Sequence, residues 1–407
     1  MNARIQKLNE YPFSRLKRLI CETKTDLLMP EIDFSIGEPK TKRPKFVEEI
    51  LKDNLADISR YPSARGIPEL RLSISDWATR RYNLDKCFLD PEKHILPASG
   101  TRESLFGISQ ALYETNSLKP YIGMPNPFYQ IYEGAATLAG ATPKYINQLN
   151  SKDAHLKLNQ IRPNEWAKIQ LIYICTPANP SGETYSLKDF DLIMQKSKDH
   201  NIIVISDECY SEIYRPSSKP PIGLFEWCEK NGEKNFSNCI VMNSLSKRSG
   251  LPGLRSGFIA GDEILISTFS QYRSYQGVAM PLHVQKASAA AWDDEKHVSQ
   301  NRNYYSKNFQ AANEILGDLP FYTESKAGFF IWLKIPVCDR KFAKKLYDTH
   351  KILVMPGTFL ARKSSDVNPG LNYIRIALVH DLEICIEGLK KIKEHLAKKI
   401  GTKNVKH

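Results

Sequence analysis

Two short apolar runs separated by one helix-length segment constrain this chain more than any other feature in it. Ile169-Gln-Leu-Ile-Tyr-Ile-Cys175 and Asn201-Ile-Ile-Val-Ile-Ser206 are rich in β-branched residues, and each stops at a polar or proline-rich loop. That is the pattern of strands buried on both faces. The segment Leu187–His200 between them reads as a helix, so 169–206 predicts one strand–helix–strand unit with parallel strands. Further strands are expected at Asn238–Met242 and Gly257–Gly261, and a helix over 68–82. In that helix Leu70, Ile74, Trp77 and Ala78 recur at helical spacing behind Pro68. The expected fold is α/β, with a mostly parallel sheet flanked by helices.

Past about residue 290 the texture changes to long polar helices, then a strand at 329–334, a turn at Pro356-Gly357, a strand at 373–378 and a helix from Leu382 to Ile400. These predict a smaller α+β domain completed by the N-terminal segment. The expected division is a large domain at 46–295 and a small one made of 1–45 and 296–407, within reach of a 407-residue chain. The lysines near the end (Lys390, Lys391, Lys393, Lys398, Lys399, Lys403, Lys406) read as a solvated helix face and tail.

The net charge of +12 admits nucleic acid, a membrane surface or an acidic small molecule as partner without choosing among them. No apolar run approaches the roughly 18 residues needed to span a bilayer, so no membrane partner is expected. The N-terminus lacks the apolar stretch of a secretory signal. Eight cysteines are scattered without a CxxC pair, which predicts reduced thiols, no zinc or other metal site, and a cytoplasmic protein.

Three segments carry chemistry. Asn243-Ser-Leu-Ser-Lys-Arg-Ser-Gly-Leu-Pro-Gly-Leu-Arg-Ser-Gly257 follows a predicted strand and combines Ser244, Ser246, Lys247 and Arg255 with three glycines. A lysine at a strand's C-terminal end stands where open α/β sheets bind ligands. Two hydroxyls followed by an arginine can grip a phosphate, with the guanidinium forking across two oxygens. Cys175-Thr-Pro-Ala-Asn-Pro-Ser-Gly182 leaves the 169–175 strand and presents the amide of Asn179, and Ser206-Asp-Glu-Cys-Tyr210 brings an acid and a phenol out of the next strand. All three should meet along one sheet edge. An aldehyde cofactor with a pyridine ring and a phosphate needs such a set. Lys247 would be the amine that condenses with the aldehyde, Asp207 the carboxylate on the ring nitrogen, and Asn179 with Tyr210 the donors to its phenolate. Ser244, Ser246 and Arg255 would hold the phosphate.

On these residues the sequence resembles the pyridoxal 5'-phosphate-dependent aminotransferases of fold type I, class I/II, from about Phe34 to Arg375. Ser-Ile-Gly-Glu-Pro at 35–39 resembles the family's substrate strand, which implies that Gly37 offers a backbone NH to the substrate carboxylate. Tyr61, in Tyr-Pro-Ser-Ala-Arg-Gly at 61–66, matches the tyrosine that reaches the phosphate of the neighbouring subunit's cofactor, and so implies a homodimer with shared active sites. Ser99-Gly-Thr-Arg-Glu103 matches the glycine turn before a phosphate-cradling helix, which assigns Gly100, Thr101 and Arg102 to the cofactor. Tyr129 falls where the family stacks an aromatic on the ring. Arg375, in Tyr-Ile-Arg-Ile-Ala at 373–377, matches the arginine that clamps the α-carboxylate beside Asn179. Ser181 stands where threonine is usual and keeps the hydroxyl. The resemblance implies exchange of an amino group between an amino acid and a 2-oxo acid by ping-pong kinetics, with Lys247, Asp207 and Tyr210 as catalytic residues.

Strings such as Asn126-Pro-Phe-Tyr-Gln-Ile-Tyr-Glu-Gly-Ala135 and Glu208-Cys-Tyr-Ser-Glu-Ile-Tyr214 are similar to a narrower group, the bacterial succinyldiaminopimelate aminotransferases of lysine biosynthesis. That implies N-succinyl-LL-2,6-diaminopimelate as amino donor and 2-oxoglutarate as acceptor. A donor with three carboxylates predicts a basic mouth, for which Arg65, Arg248 and Arg273 are the candidate cations. Aspartate, N-acetylornithine or an aromatic amino acid as donor, or a lyase on the same scaffold, remain alternatives. A DNA-binding regulator with an aminotransferase-like domain is disfavoured, since only about 33 residues precede the first landmark. The positive charge is therefore assigned to anionic metabolites or solvated surface, and not to nucleic acid.

Overall fold

The structure, a computed structural model, describes residues 1–21, 29–148, 158 and 161–401. Its strands in chain order are β1 (Ile32–Asp33), β2 (Ile95–Ala98), β3 (Tyr121–Asn126), β4 (Thr142–Asn147), β5 (Ile169–Cys175) and β6 (Ile203–Asp207). They are followed by β7 (Cys239–Ser244), β8 (Gly257–Gly261), β9 (Phe330–Lys334), β10 (Ile352–Leu353), β11 (Met355–Pro356) and β12 (Tyr373–Ala377). A seven-stranded sheet takes the order β2-β8-β7-β6-β5-β3-β4. Every pair from β7 to β4 is parallel, while β8 runs antiparallel to both neighbours.

The strand–helix–strand unit forms as expected. The helix Leu187–His200 starts at Ser186, whose hydroxyl accepts from Asp189 N while the Asp189 carboxylate accepts from Ser186 N, a reciprocal cap. It ends at Asn201 in the left-handed conformation, φ 49°. The helix Pro68–Tyr82 buries Leu70, Ile74, Trp77 and Ala78, and Trp77 packs on Trp292 with ring centroids 4.7 Å apart. The reversal of β8 has a local cause. A parallel partner for β7 would need a crossover of about a dozen residues, usually a helix packed over the sheet. The connection 245–256 is instead spent on one helical turn and a 3-10 turn at the sheet's end, so the chain folds straight back.

Beyond the long helix Lys296–Leu316, β9 and β11 flank β12 in an antiparallel sheet. Pro356 ends β11, and Gly357 opens a 3-10 turn where a Cβ would strike the Gly370 carbonyl. β1 pairs in parallel with β10, and Ile32 and Phe34 are buried among Ile352, Ile376 and Leu389. The last helix runs Leu382–Gly401, with Lys391 and Lys393 paired at the surface to Glu387 and Asp318. Lys403, Lys406 and the side chains of Lys398 and Lys399 lie outside the described residues. Among the described residues no helix is long and apolar enough to cross a membrane.

The loop after β6 is locked by a buried carboxylate. Glu212 pairs with Arg81 from the Pro68 helix and with Arg302 from the long helix, the latter at 3.0 Å. Burial alone would raise this carboxyl, but the charges of Arg81, Arg248 and Arg302 outweigh it and hold it below the ordinary carboxylate range. A depressed folded-state value means the stabilisation is complete above the unfolded carboxyl's value, about 4.3, and is lost as pH falls through the folded one. Glu212→Gln should lower stability to urea by about 3 kcal/mol at neutral pH, because two guanidinium groups lose their buried counter-charge. The gap to the parent protein should narrow as the titration is repeated below about pH 4.

Candidate active site

Three neighbouring parallel strands end abreast. In register, Cys175 of β5 faces Asp207 of β6, and Asp207 faces Met242 of β7. The loops that leave these ends carry Asn179, Tyr210 and, past Ser244, Lys247. They open onto one cavity of about 570 Å³. Gly37, Thr101, Arg102, Tyr129, Asn179, Asp207, Tyr210, Ser244, Ser246, Lys247, Arg255 and Arg375 all line it. Gly100 stands directly behind the wall, with φ 80°, and a Cβ there would occupy the space of the Arg255 guanidinium. Tyr61 is not brought to the cavity. Its side chain is fully exposed on the surface of the chain.

Lys247 Nζ donates to the Gly37 carbonyl at 2.6 Å and sits 5.3 Å from the Phe329 ring centroid. Gly37 thus meets the lysine through its oxygen. Enclosure lowers the amine to about 8, with the positive charges of Arg375 and Arg102 acting in the same direction. Asp207 Oδ2 accepts from Tyr132 Oη at 2.6 Å, and Oδ1 from Cys209 N at 3.3 Å. Burial raises its carboxyl against these hydrogen bonds and the charge of Lys247, and no arginine or lysine among the described residues is ion-paired with it. Arg375 lies 4.4 Å over Phe330 and donates from Nη1 to Asn179 Oδ1 at 3.0 Å and from Nη2 to the Ser35 carbonyl at 2.6 Å. Its Nε is buried without a partner. Burial lowers this guanidinium to about 10, outweighing the more distant Asp33 carboxylate, which acts the other way without forming an ion pair. Asn179 spends its oxygen on Arg375 and keeps its NH₂ for a ligand.

At the other end, Arg255 donates to the carbonyls of Pro252 (2.8 Å) and Ser99 (3.2 Å). The helix Thr101–Leu112 begins beside it, so its free N-terminal amides and the hydroxyls of Thr101, Ser244 and Ser246 surround one spot. Arg102 Nε donates to Tyr129 Oη at 2.8 Å, which leaves the rest of the guanidinium exposed at the rim.

This donor set fits pyridoxal phosphate on its chemistry. A dianionic phosphate has Arg255, helix amides and hydroxyls within one cup that Gly100 keeps open. A ring N–H⁺ has Asp207, a buried carboxylate otherwise without a cation. An aldehyde has an amine whose lowered basicity leaves a reactive fraction near neutral pH. An amino acid's carboxylate has Arg375, a buried cation lacking an anion.

Three expectations are corrected. Arg248 and Arg273 do not stand at the mouth: both are fully buried. Arg248 donates to the carbonyls of Ala291 (2.6 Å) and Trp292 (3.1 Å) and pairs with Glu295. Arg273 bonds the Pro97 carbonyl (2.7 Å) and pairs with Glu103. Arg65 is held by Glu92, away from the cavity. A guanidinium can be buried where a carboxylate and backbone carbonyls together take most of its donors, here the end of the helix Leu282–Asp293 for Arg248 and the Ala64 and Pro97 carbonyls for Arg273. The cation the structure does bring to the rim is Arg102. The sequence reading missed Tyr132, which holds Asp207, and the aromatic wall of Tyr11, Phe13 and Phe330. Tyr132 follows Tyr129 by one helical turn and was recoverable from that spacing. Tyr11 and Phe13 carry no local signal.

The family model for aminotransferase class I and II matches residues 30–392. An LL-diaminopimelate aminotransferase of Aquifex aeolicus is 28% identical over 96% of this chain and 97% of its own length. The glutamate-pyruvate aminotransferase AlaC of Escherichia coli is 27% identical over 89% of this chain and 86% of its own. Among solved structures, an aminotransferase from Neisseria meningitidis superposes with a TM-score of 0.93 at 38% identity, covering 97% of this chain and 100% of that one. Aminotransferase AspB from Helicobacter pylori gives 0.88 at 34% identity over 96% and 99%. Strand order, site chemistry and these matches agree: the chain belongs to the class I and II aminotransferases, enzymes that work with pyridoxal phosphate.

Proposed function

We propose that the protein takes the amino group of N-succinyl-LL-2,6-diaminopimelate and passes it to 2-oxoglutarate, forming N-succinyl-2-amino-6-oxopimelate and glutamate in lysine biosynthesis. The observation that carries the reaction class is the pairing in one cavity of a weakened amine, Lys247, with a buried guanidinium, Arg375, that makes no ion pair among the described residues. An α-amino acid would bring a carboxylate for Arg375 into the cavity that Lys247 also lines.

Bound pyridoxal phosphate supplies an aldehyde for the amine and a charged ring that draws electrons from the Cα–H bond. Asp207, held by Tyr132, would keep the ring nitrogen protonated. Asn179 and Tyr210 would donate to the phenolate, and Tyr129 would cover the ring. Ser244, Ser246, Arg255, Thr101 and the Gly100 turn would hold the phosphate. Lys247 Nζ takes and returns the proton at the substrate Cα. Arg375 and Asn179, with the Gly37 backbone, orient the carboxylate. Tyr61, fully exposed on the isolated chain, suits a tyrosine that completes the site of a second copy in a homodimer. Closure of a small body (1–45, 296–407) over a large one (46–295) would exclude water. Eight free thiols fit a reducing, cytoplasmic setting.

Support for the donor comes from the strings at 126–135 and 208–214, from relatives named LL-diaminopimelate aminotransferases, and from the rim. There Ile36, Phe13 and Leu360 offer an apolar wall to a long aliphatic chain, and Arg102 a cation to a distal carboxylate. One cation would also serve aspartate or glutamate, which makes these the competing donors.

Glutamate formed from 2-oxoglutarate should be greatest with succinyl-diaminopimelate in a panel that includes aspartate, N-acetylornithine, alanine and an aromatic amino acid. A larger kcat/KM for any other donor would overturn the substrate, and release of ammonia without glutamate would indicate a lyase. Lys247→Ala should still bind pyridoxal phosphate but lack the visible absorbance of lysine-linked cofactor and lose turnover by at least about a thousandfold. Gly100→Ala should weaken cofactor affinity by about tenfold or more, measured by fluorescence titration of the apoprotein. The added methyl displaces the Arg255 guanidinium, whose charged hydrogen bonds are worth about 1.5–3 kcal/mol each.

A further inference from the structure

Asparagine is a poor choice for the buried interior of a helix, because its amide must find partners there and competes with the backbone for them. The long helix Lys296–Leu316 carries two such residues, Asn301 at 6% exposure and Asn308 at 1%. They lie seven residues apart, two turns along one face, a rise of about 10.5 Å. Each amide nitrogen grips two backbone carbonyls. Asn301 Nδ2 donates to the carbonyls of Lys247 and Arg248, both at 2.9 Å. Asn308 Nδ2 donates to those of Leu378 (3.1 Å) and His380 (2.9 Å).

What they grip is specific. The Lys247 carbonyl belongs to a four-residue turn, Leu245–Arg248, too short to satisfy its own terminal carbonyls. Leu378 directly follows β12, the strand that carries Arg375. Between the two amides Tyr305 packs on Phe329 at 5.2 Å, and Phe329 in turn lies beside Lys247 Nζ. Arg302, next to Asn301, ties the same helix through Glu212 to the loop that bears Tyr210. One helix therefore touches the supports of the amine, the phenol and the carboxylate receptor.

We propose that Asn301 and Asn308 are positioning residues, which make this helix a rod that holds the Lys247 turn and the Arg375 strand at a fixed separation. The proposal rests on the aminotransferase reading and adds to it how two groups from distant parts of the chain keep their spacing. The substrate's carboxylate is bonded directly to Cα, so an amine set even 1 Å away from its place relative to the guanidinium loses much of its rate.

The test uses the holoenzyme with Asn301→Leu and Asn308→Leu, which keep the heavy-atom branching and the helix but remove both donors. Asn301→Ser and Asn308→Ser, each able to keep one hydrogen bond, serve where a leucine variant does not fold. Asn301→Leu should lower kcat about tenfold with KM within about twofold of the parent, and should move the pH midpoint of the cofactor's visible absorbance, which reports the Lys247 nitrogen. Asn308→Leu should raise KM for the amino donor about tenfold, with kcat within about twofold and the absorbance midpoint unmoved. The proposal is overturned if both variants keep kcat, KM and the midpoint while only Tm falls, or if both lose kcat and KM in the same proportion. Failure of the enzyme reading is separate: the parent protein would then pass no amino group to 2-oxoglutarate, and the absorbance midpoint alone would still judge Asn301.

Discussion

The parallel alignment of β5, β6 and β7 is the constraint on which everything else depends. Because the three strands run the same way and end level, the loops after Cys175, Asp207 and Ser244 leave the sheet side by side. Had one strand been reversed, its loop would open at the far end, and Asp207 and Lys247 would stand on opposite edges. The single reversed strand of this sheet, β8, starts only after Arg255, so Lys247 and Arg255 share the connection at the same end. The chain thereby places its amine and the far side of its phosphate cup within one short connection.

Charge is arranged with equal economy. Structural cations such as Arg81, Arg248 and Arg273 are paired with Glu212, Glu295 and Glu103 and also donate to backbone carbonyls. The site's own ions are not. Arg375 and Asp207 are buried without an ion-pair partner, and Lys247 rests on a carbonyl. Burying such groups unpaired is costly, and under the proposed function a substrate carboxylate and a protonated ring would relieve it. Affinity and orientation thus come from the same groups, and the long helix with its two buried asparagines braces the elements that carry them.

Much of this was legible in the amino-acid order. The runs ending at Cys175 and Ser206 announce buried parallel strands, and Asn179, Asp207 and Lys247 are recognisable because each follows such a run. Other elements were hidden for physical reasons. β3 is a central strand interrupted by Gly123 and Pro125, which dilute its apolar signal. β1, β10 and β11 have two residues each, too few for any period to show. The direction of β8 is invisible to side-chain alternation, which is the same for either sense. Arg248 and Arg273 read as solvent-facing charge until the carbonyls that receive them are seen. Tyr132 reads as a core aromatic unless its one-turn spacing from Tyr129 is used, and its 2.6 Å contact with Asp207 gives it a place in the site.

The account turns on Lys247 being the amine that engages the cofactor. Borohydride reduction of the holoprotein followed by peptide mass mapping tests this directly. The account predicts one pyridoxyl group per chain, on the peptide that contains Lys247. A label on any other lysine, or none after reduction of cofactor-saturated protein, would contradict it.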